Sequence, residues 1–168
     1  MPDPPPLHPD VAPVAFLLGT WEGEGKGEYP TIDAFEYGEA VSFWSTGKPF
    51  LSYSQITWSL VDERPLHSEM GFLRGHGPGQ QLEWVIAHGT GLTELSVGWA
   101  TGRHLELESK RIGLAPTAKE VTRVNRRFDV IPDTRGGVLR YELDMAAVGL
   151  TLQHHLSAEL HKQADAVG

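Results

Sequence analysis

The sequence predicts an all-β protein: a ten-stranded antiparallel β-barrel with one short helix in front of it. Three observations carry that prediction. Beyond residue 18, short runs rich in aromatic and β-branched residues follow one another at near-even spacing. Glycine, proline and aspartate break these runs, and "GHGPG" at 75–79, "HGTG" at 88–91 and "PDTRGG" at 132–137 read as tight links between neighbouring strands. Within the runs, side chains alternate with a period of two. In "HLELESK", Leu105 and Leu107 fall on one face and Glu106 and Glu108 on the other. A meander this long closes readily, because closure removes its edges.

The elements follow in order. Residues 1–10, "MPDPPPLHPD", are proline-rich and read as a disordered arm. Residues 11–18 suit one short helix with Asp10 as its cap. Strands are expected at about 20–29, 35–44, 49–60, 66–74, 81–88, 91–99, 103–112, 119–130, 138–147 and 150–160. One domain thus spans 11–163, and 164–168 is a tail. In the strand that begins "FLSYSQITW", Phe50, Ser52, Ser54 and Ile56 share one face; Leu51, Tyr53, Gln55 and Thr57 share the other. Neither face is purely apolar, which suits an interior that is partly a ligand cavity.

The first strand, "GTWEGEGKGEY", sets glycines beside Trp21. A phosphate-binding loop is excluded. A dinucleotide fingerprint would need glycine where Glu28 stands, and Lys26 is followed by Gly27 rather than Ser or Thr. Pro30 also pushes the residue before it toward extended geometry, so no helix starts there. Glycine does permit the sharp bend and close approach that a small barrel's first strand needs. Trp21 can then plug the barrel floor.

Composition bounds the function. The net charge of −8 argues against nucleic acid and anionic membrane as partners. The absence of cysteine removes disulfides and thiolate metal sites. The N-terminus has neither the basic region nor the apolar run of a signal peptide, and no apolar stretch reaches membrane-spanning length, so a cytoplasmic protein is expected.

Several blocks are similar to those of one family. "GTWEGEG" at 19–25 matches the Gly-x-Trp-x-Gly-x-Gly signature of the nitrobindins. "YPTI" at 29–32, "FEY" at 35–37, "GKPFL" at 47–51, "PLHSEMGFLR" at 65–74, "GLAPTAKEVT" at 113–122, "MAAVG" at 145–149 and "HLSAEL" at 155–160 resemble the rest of that pattern. The ordered set runs from about residue 14 to 161, and the chain is identified as a member of the family, of the bacterial type. The resemblance implies a barrel like those of lipocalins and fatty-acid-binding proteins. It also implies one ferric haem b per chain, held by an axial histidine near the C-terminus. The implied partners are NO, bound at iron, and peroxynitrite, isomerised to nitrate; the chain is monomer or homodimer.

That axial histidine falls on His155. Alternation alone chooses otherwise: it groups His154 with Leu152, Leu156 and Leu160, and His155 with Gln153, Ser157 and Glu159. The two readings agree only if a β-bulge near 153–156 changes the facing. The resemblance further puts His67 on the distal side of the pocket, Thr31 and Ile32 along the haem, and Met145 in its lining. Lys119 could pair with a propionate. His8, His76 and His88 read as solvent-facing, and His161 lies near the chain end. Two alternatives stay open. One is a haem-based NO carrier or sensor without turnover. The other is a lipocalin-like carrier of an apolar ligand, although Arg123, Arg126 and Arg127 do not share one face as a carboxylate clamp would need.

Overall fold

A computed structural model describes residues 5–76 and 81–164. Ten strands form one closed antiparallel barrel: β1 (Gly19–Tyr29), β2 (Ile32–Ser45), β3 (Phe50–Ser59), β4 (Pro65–His76), β5 (Gln81–His88), β6 (Leu92–Thr101), β7 (His104–Leu114), β8 (Val121–Ile131), β9 (Val138–Ala147) and β10 (Gln153–Lys162). Each strand pairs with its sequence neighbours, and β1 pairs with β10 to close the ring. The expected fold is therefore observed. The alternation also holds: Leu105 and Leu107 are buried while Glu106 is exposed, and Leu51, Tyr53, Gln55 and Thr57 all face inward. The link predicted at 75–79 falls largely on residues 77–80, outside the described residues.

A 3₁₀ helix, Pro9–Leu17, lies across one end of the barrel. Its cap is His8, not Asp10: the His8 Nδ1 accepts from the Asp10 amide at 3.2 Å. Leu7 already packs on the core, so the described part of the predicted arm is laid against the barrel. Pro9 in the first turn explains the early start, because proline's fixed φ suits that position and its missing N–H is not needed there.

Trp21 is fully buried beneath this helix, and its Nε1–H donates to the Leu17 carbonyl at 2.8 Å. It is the plug the sequence suggested. The glycines that follow leave room for rings: a Cβ at Gly25 would strike Tyr37, and one at Gly27 would strike Phe35. The paired residues across β1 and β2 are those same two couples, so each aromatic lies over a bare stretch of neighbouring backbone.

The meander sorts its loops by end. The helix and the links 46–49, 102–103 and 132–137 are at the Trp21 end. The links 30–31, 60–64, 89–91, 115–120 and 148–152 are at the other, the mouth. The core next to the helix is aliphatic, with Val11, Val14, Leu51, Leu73, Leu82 and Leu160 buried. Above it sits a ring layer in which Trp84 meets Tyr53 at 4.7 Å and Phe128 at 5.4 Å between centroids. Beyond that layer, toward the mouth, the interior becomes polar.

Candidate functional site at the barrel mouth

The start of β10 breaks its register. Gln153 pairs with Met145 and His154 with Asp144, but Leu156 pairs with Leu143, leaving His155 as the extra residue of a bulge. Met145 and Leu143 share the inner parity of β9 with Tyr141, while Asp144 does not. His154 is therefore turned to the Asp144 side, where its Nδ1 lies 3.6 Å from the carboxylate that also takes Arg127. His155 turns to the mouth. Its Nδ1 donates to the Glu28 carbonyl at 3.0 Å, and its ring meets Tyr29 edge-on at 5.3 Å. Burial holds its pKa below the ordinary histidine value.

Tyr29 steadies that corner. Its hydroxyl accepts from the Ala147 amide at 2.9 Å and donates to the Met145 carbonyl at 3.2 Å, bridging β1 to β9 at the start of β10. The result is a neutral imidazole whose tautomer is set: Nδ1 carries the proton, and Nε2 keeps its lone pair, with no hydrogen-bond partner among the described residues. This is the donor a haem iron takes, with a backbone carbonyl orienting the ring from behind. The mouth also presents apolar surface, with Ile32, Phe35 and Leu114 all exposed. Thr31 and Lys119 are exposed on the links 30–31 and 115–120, and Met145 is half-buried. The residues present fit a haem. All six predicted site residues, His155, Thr31, Ile32, His67, Lys119 and Met145, are thus at one end of the barrel.

Below the mouth lies a buried polar network that sequence reasoning missed. Arg126 reaches Glu69 Oε1 at 2.9 Å and Glu94 Oε2 at 2.9 Å. All three side chains are at most 3% exposed. The Tyr53 hydroxyl donates to Glu69 at 2.7 Å, and Ser96 donates to Glu94 at 2.6 Å. His88, read from sequence as solvent-facing, is turned inward here with its side chain 10% exposed: its Nδ1 is 2.9 Å from Glu69 Oε2 and its Nε2 is 3.3 Å from Glu94 Oε2. The turn beside it is exposed, but the residue keeps the inner parity of β5. His67 Nε2 approaches the same Glu69 oxygen at 3.1 Å. His161 also proves to be an integral part of β10, paired with Glu22 and Val138.

The mixed inner faces that suggested a cavity are in part filled by these groups. Only Arg126 of the three candidate arginines points in; Arg123 pairs with Glu108 and Arg127 with Glu142 on the outside. The signal was available, since Glu39, Glu69, Glu94 and Arg126 each sit at the parity of buried apolar neighbours. A charge at such a position demands a partner.

The carboxylates divide by environment. Arg126 holds Glu69 and Glu94 below their ordinary range despite complete burial. Glu39 makes no ion pair with Arg126; burial raises its pKa to about 7, against hydrogen bonds accepted from Gln55 at 2.5 Å and Tyr141 at 2.8 Å and the more distant pull of Arg126. An acid whose folded pKa lies above its unfolded one binds more protons when folded, so stability falls as pH rises between the two. The window runs from 4.5, its ordinary value, to about 7. Glu39→Gln is expected to flatten the pH dependence of unfolding in that window, by roughly 3 kcal/mol across it at most. Urea unfolding at several pH values checks this. An unchanged slope would mean that Glu39 is already ionised in the fold.

Comparison with known proteins points to one family. The pattern of a family described as "THAP4-like, heme-binding beta-barrel domain" matches residues 10–162. A protein of Mycobacterium marinum named "Peroxynitrite isomerase 2" is 51% identical over 165 residues, covering 96% of this chain and 99% of the relative. One of Nocardia farcinica named "Peroxynitrite isomerase" is 46% identical over 160 residues, covering 93% and 92%. The crystal structure of Rv2717c from M. tuberculosis superposes with a TM-score of 0.85 at 48% identity, covering 95% of this chain and all of that one.

Proposed function

Because the chain belongs to the THAP4-like, heme-binding β-barrel family, the nitrobindins, we propose that it is a ferric haem b protein that binds NO and isomerises peroxynitrite to nitrate. The observation that carries the reading is His155. It stands on a bulge at the mouth, its Nδ1–H is held by the Glu28 carbonyl, and its Nε2 has no hydrogen-bond partner among the described residues. When bound, ferric haem supplies a Lewis-acidic iron for an anionic or diatomic ligand.

The chain's own part is to hold and confine. His155 would hold the cofactor as its protein ligand, and the bound iron would supply the Lewis acid to the substrate. The Glu28 carbonyl and the Tyr29 edge fix the ring's orientation, and burial keeps it neutral and able to ligate. Thr31, Ile32 and Met145, all at the mouth, would border the cofactor. Lys119, exposed on its loop, offers a cation to a propionate. No acid–base pair of the chain is required for an intramolecular rearrangement. The apolar-carrier alternative loses its clamp, since the one inward arginine, Arg126, is already bound by two carboxylates.

The test is an absorption titration with hemin of the unmodified chain, His155→Ala and His154→Ala. The expected result is a saturating Soret band at one haem per chain, lost in His155→Ala and kept in His154→Ala. Loss in His154→Ala alone would overturn the ligand assignment, and no saturable band in the unmodified chain would overturn the haem reading. Stopped-flow decay of peroxynitrite then separates enzyme from carrier: acceleration with nitrate as product is expected of the haem-loaded chain only.

The same site sets a pH limit. A histidine pKa held below the ordinary value leaves the imidazole neutral as the solution is acidified, so haem affinity should persist below the pH at which free imidazole protonates and fall only beyond it. A pH series of the Soret titration checks this; affinity already falling around the ordinary histidine pKa would contradict it.

A further inference from the structure

We propose that His67, Glu69 and His88 form a binding site for a divalent transition metal of the zinc class, with a ligand set separate from His155. Three donor atoms converge. Glu69 Oε2 is 3.1 Å from His67 Nε2 and 2.9 Å from His88 Nδ1, and the two nitrogens are 3.3 Å apart. A tetrahedral ion with bonds of about 2.0–2.1 Å sets its ligand atoms about 3.3 Å from one another, so the triangle needs little adjustment. Two histidines, one carboxylate and an open fourth position are a common donor set for zinc.

The groups behind the donors are arranged as metal sites require. His88 turns its far nitrogen, Nε2, to Glu94 Oε2 at 3.3 Å. If that nitrogen carries the only proton, Nδ1 presents a lone pair to the Glu69 carboxylate and to His67, and a metal cation between them can take the place of a second proton. Glu69 is tied down by its other oxygen, Oε1, which accepts from Tyr53 at 2.7 Å and Arg126 at 2.9 Å. One oxygen is thus anchored, and Oε2 faces the two histidines, with Arg126 Nη2 only distantly at 3.4 Å. A carboxylate behind a ligating histidine and hydrogen bonds behind a ligating carboxylate tune and orient such sites.

Charge permits the ion. Glu69, Glu94 and Arg126 together leave one negative charge, and with neutral histidines a divalent ion makes the cluster singly positive. A bound hydroxide or anion in the fourth position brings it to neutrality. The ligands are graded in exposure: the Glu69 side chain is 3% exposed, His88 10% and His67 31%. An ion would enter from the His67 side, which is the mouth.

The proposal does not rest on the haem reading, and its test keeps the two apart. The full chain, stripped with chelator and free of haem, is titrated with Co²⁺, whose visible d–d bands report low coordination, and then with Zn²⁺ in competition. One equivalent of cobalt with intense bands, displaced by zinc, is expected. His67→Ala removes the most exposed ligand with the least risk to folding. It should weaken binding at least as much as loss of a supporting group does, roughly 10–100-fold. Glu94→Gln should weaken it by roughly tenfold through His88, with circular dichroism confirming that both variants fold. His155→Ala should bind cobalt like the unmodified chain. Absence of the bands, unchanged affinity in His67→Ala, or their loss in His155→Ala would each overturn the site, leaving His88 to bridge its two carboxylates with protons alone.

Discussion

Arg126→Met is expected to destabilise the barrel by about 3–5 kcal/mol, the cost of leaving buried charges without their partner. The side chain is 3% exposed and closes two ion pairs at once, with Glu69 and with Glu94. Its guanidinium also lies 5.5 Å from the Trp84 ring centre, joining the polar layer to the aromatic layer beneath it. Removing it strands two carboxylates at the barrel's centre, where water cannot reach them. The loss should be largest at neutral pH and shrink on acidification. Without the guanidinium, burial raises both carboxylate pKa values, and protonation then removes the offending charges. Arg126→Lys should recover only part of the loss, because an ammonium cannot span both carboxylates as the planar fork does. The combination Arg126→Met, Glu69→Gln and Glu94→Gln should recover most of it, since replacing a whole buried ion cluster is often nearly neutral. Urea unfolding of the four proteins at two pH values decides the matter. Equal losses in the single and triple variants would show that Arg126 acts by packing rather than by charge.

The same layer marks the boundary of what was legible in the chain. The strands could be read because their signals are local. Alternation and turn residues put β5 at 81–88 and β9 at 138–147, where they are observed. The last strand was expected at 150–160 and runs Gln153–Lys162. The link expected at 148–149 runs on to residue 152: after Val148 and Gly149, both with positive φ, it takes in Leu150, Thr151 and Leu152, which propensity alone had given to the strand. Arg126 is a different kind of case. Its partners are 57 and 32 positions away, so nothing near it in sequence tells which arginine turns inward. What could be read was the parity conflict, a charge among Val124 and Phe128. At His154 and His155, parity misled because a bulge inserts one residue and reverses the facing on one side of it. That irregularity is visible only in the pairing with Asp144 and Leu143. Both failures occur toward the mouth, where local rules are broken to bring unusual groups together.

Trp21→Ala tests whether the two ends of the barrel divide stability and binding between them. The ring is fully buried, its N–H is bonded to Leu17, and Lys162 lies 5.4 Å from its centre. Truncation should cost about 3–5 kcal/mol, as for other buried aromatic-to-alanine changes. Trp21→Phe keeps most of the buried area and should cost about 1–2 kcal/mol, chiefly for the unpaired Leu17 carbonyl. Neither change touches the mouth. Trp21 sits at the helix end of β1, whereas Glu28 and Tyr29, which position His155, are at the far end of the same strand. The folded fraction of Trp21→Ala should therefore take up hemin with the affinity of the unmodified chain, while its unfolding midpoint drops sharply. His155→Ala should do the reverse, because a half-exposed residue on a bulge contributes little packing. If Trp21→Ala instead lost haem affinity as His155→Ala does, the bulge would have to be held in place by the whole strand. The mouth would then be a product of the plug rather than an independent corner pinned by Tyr29.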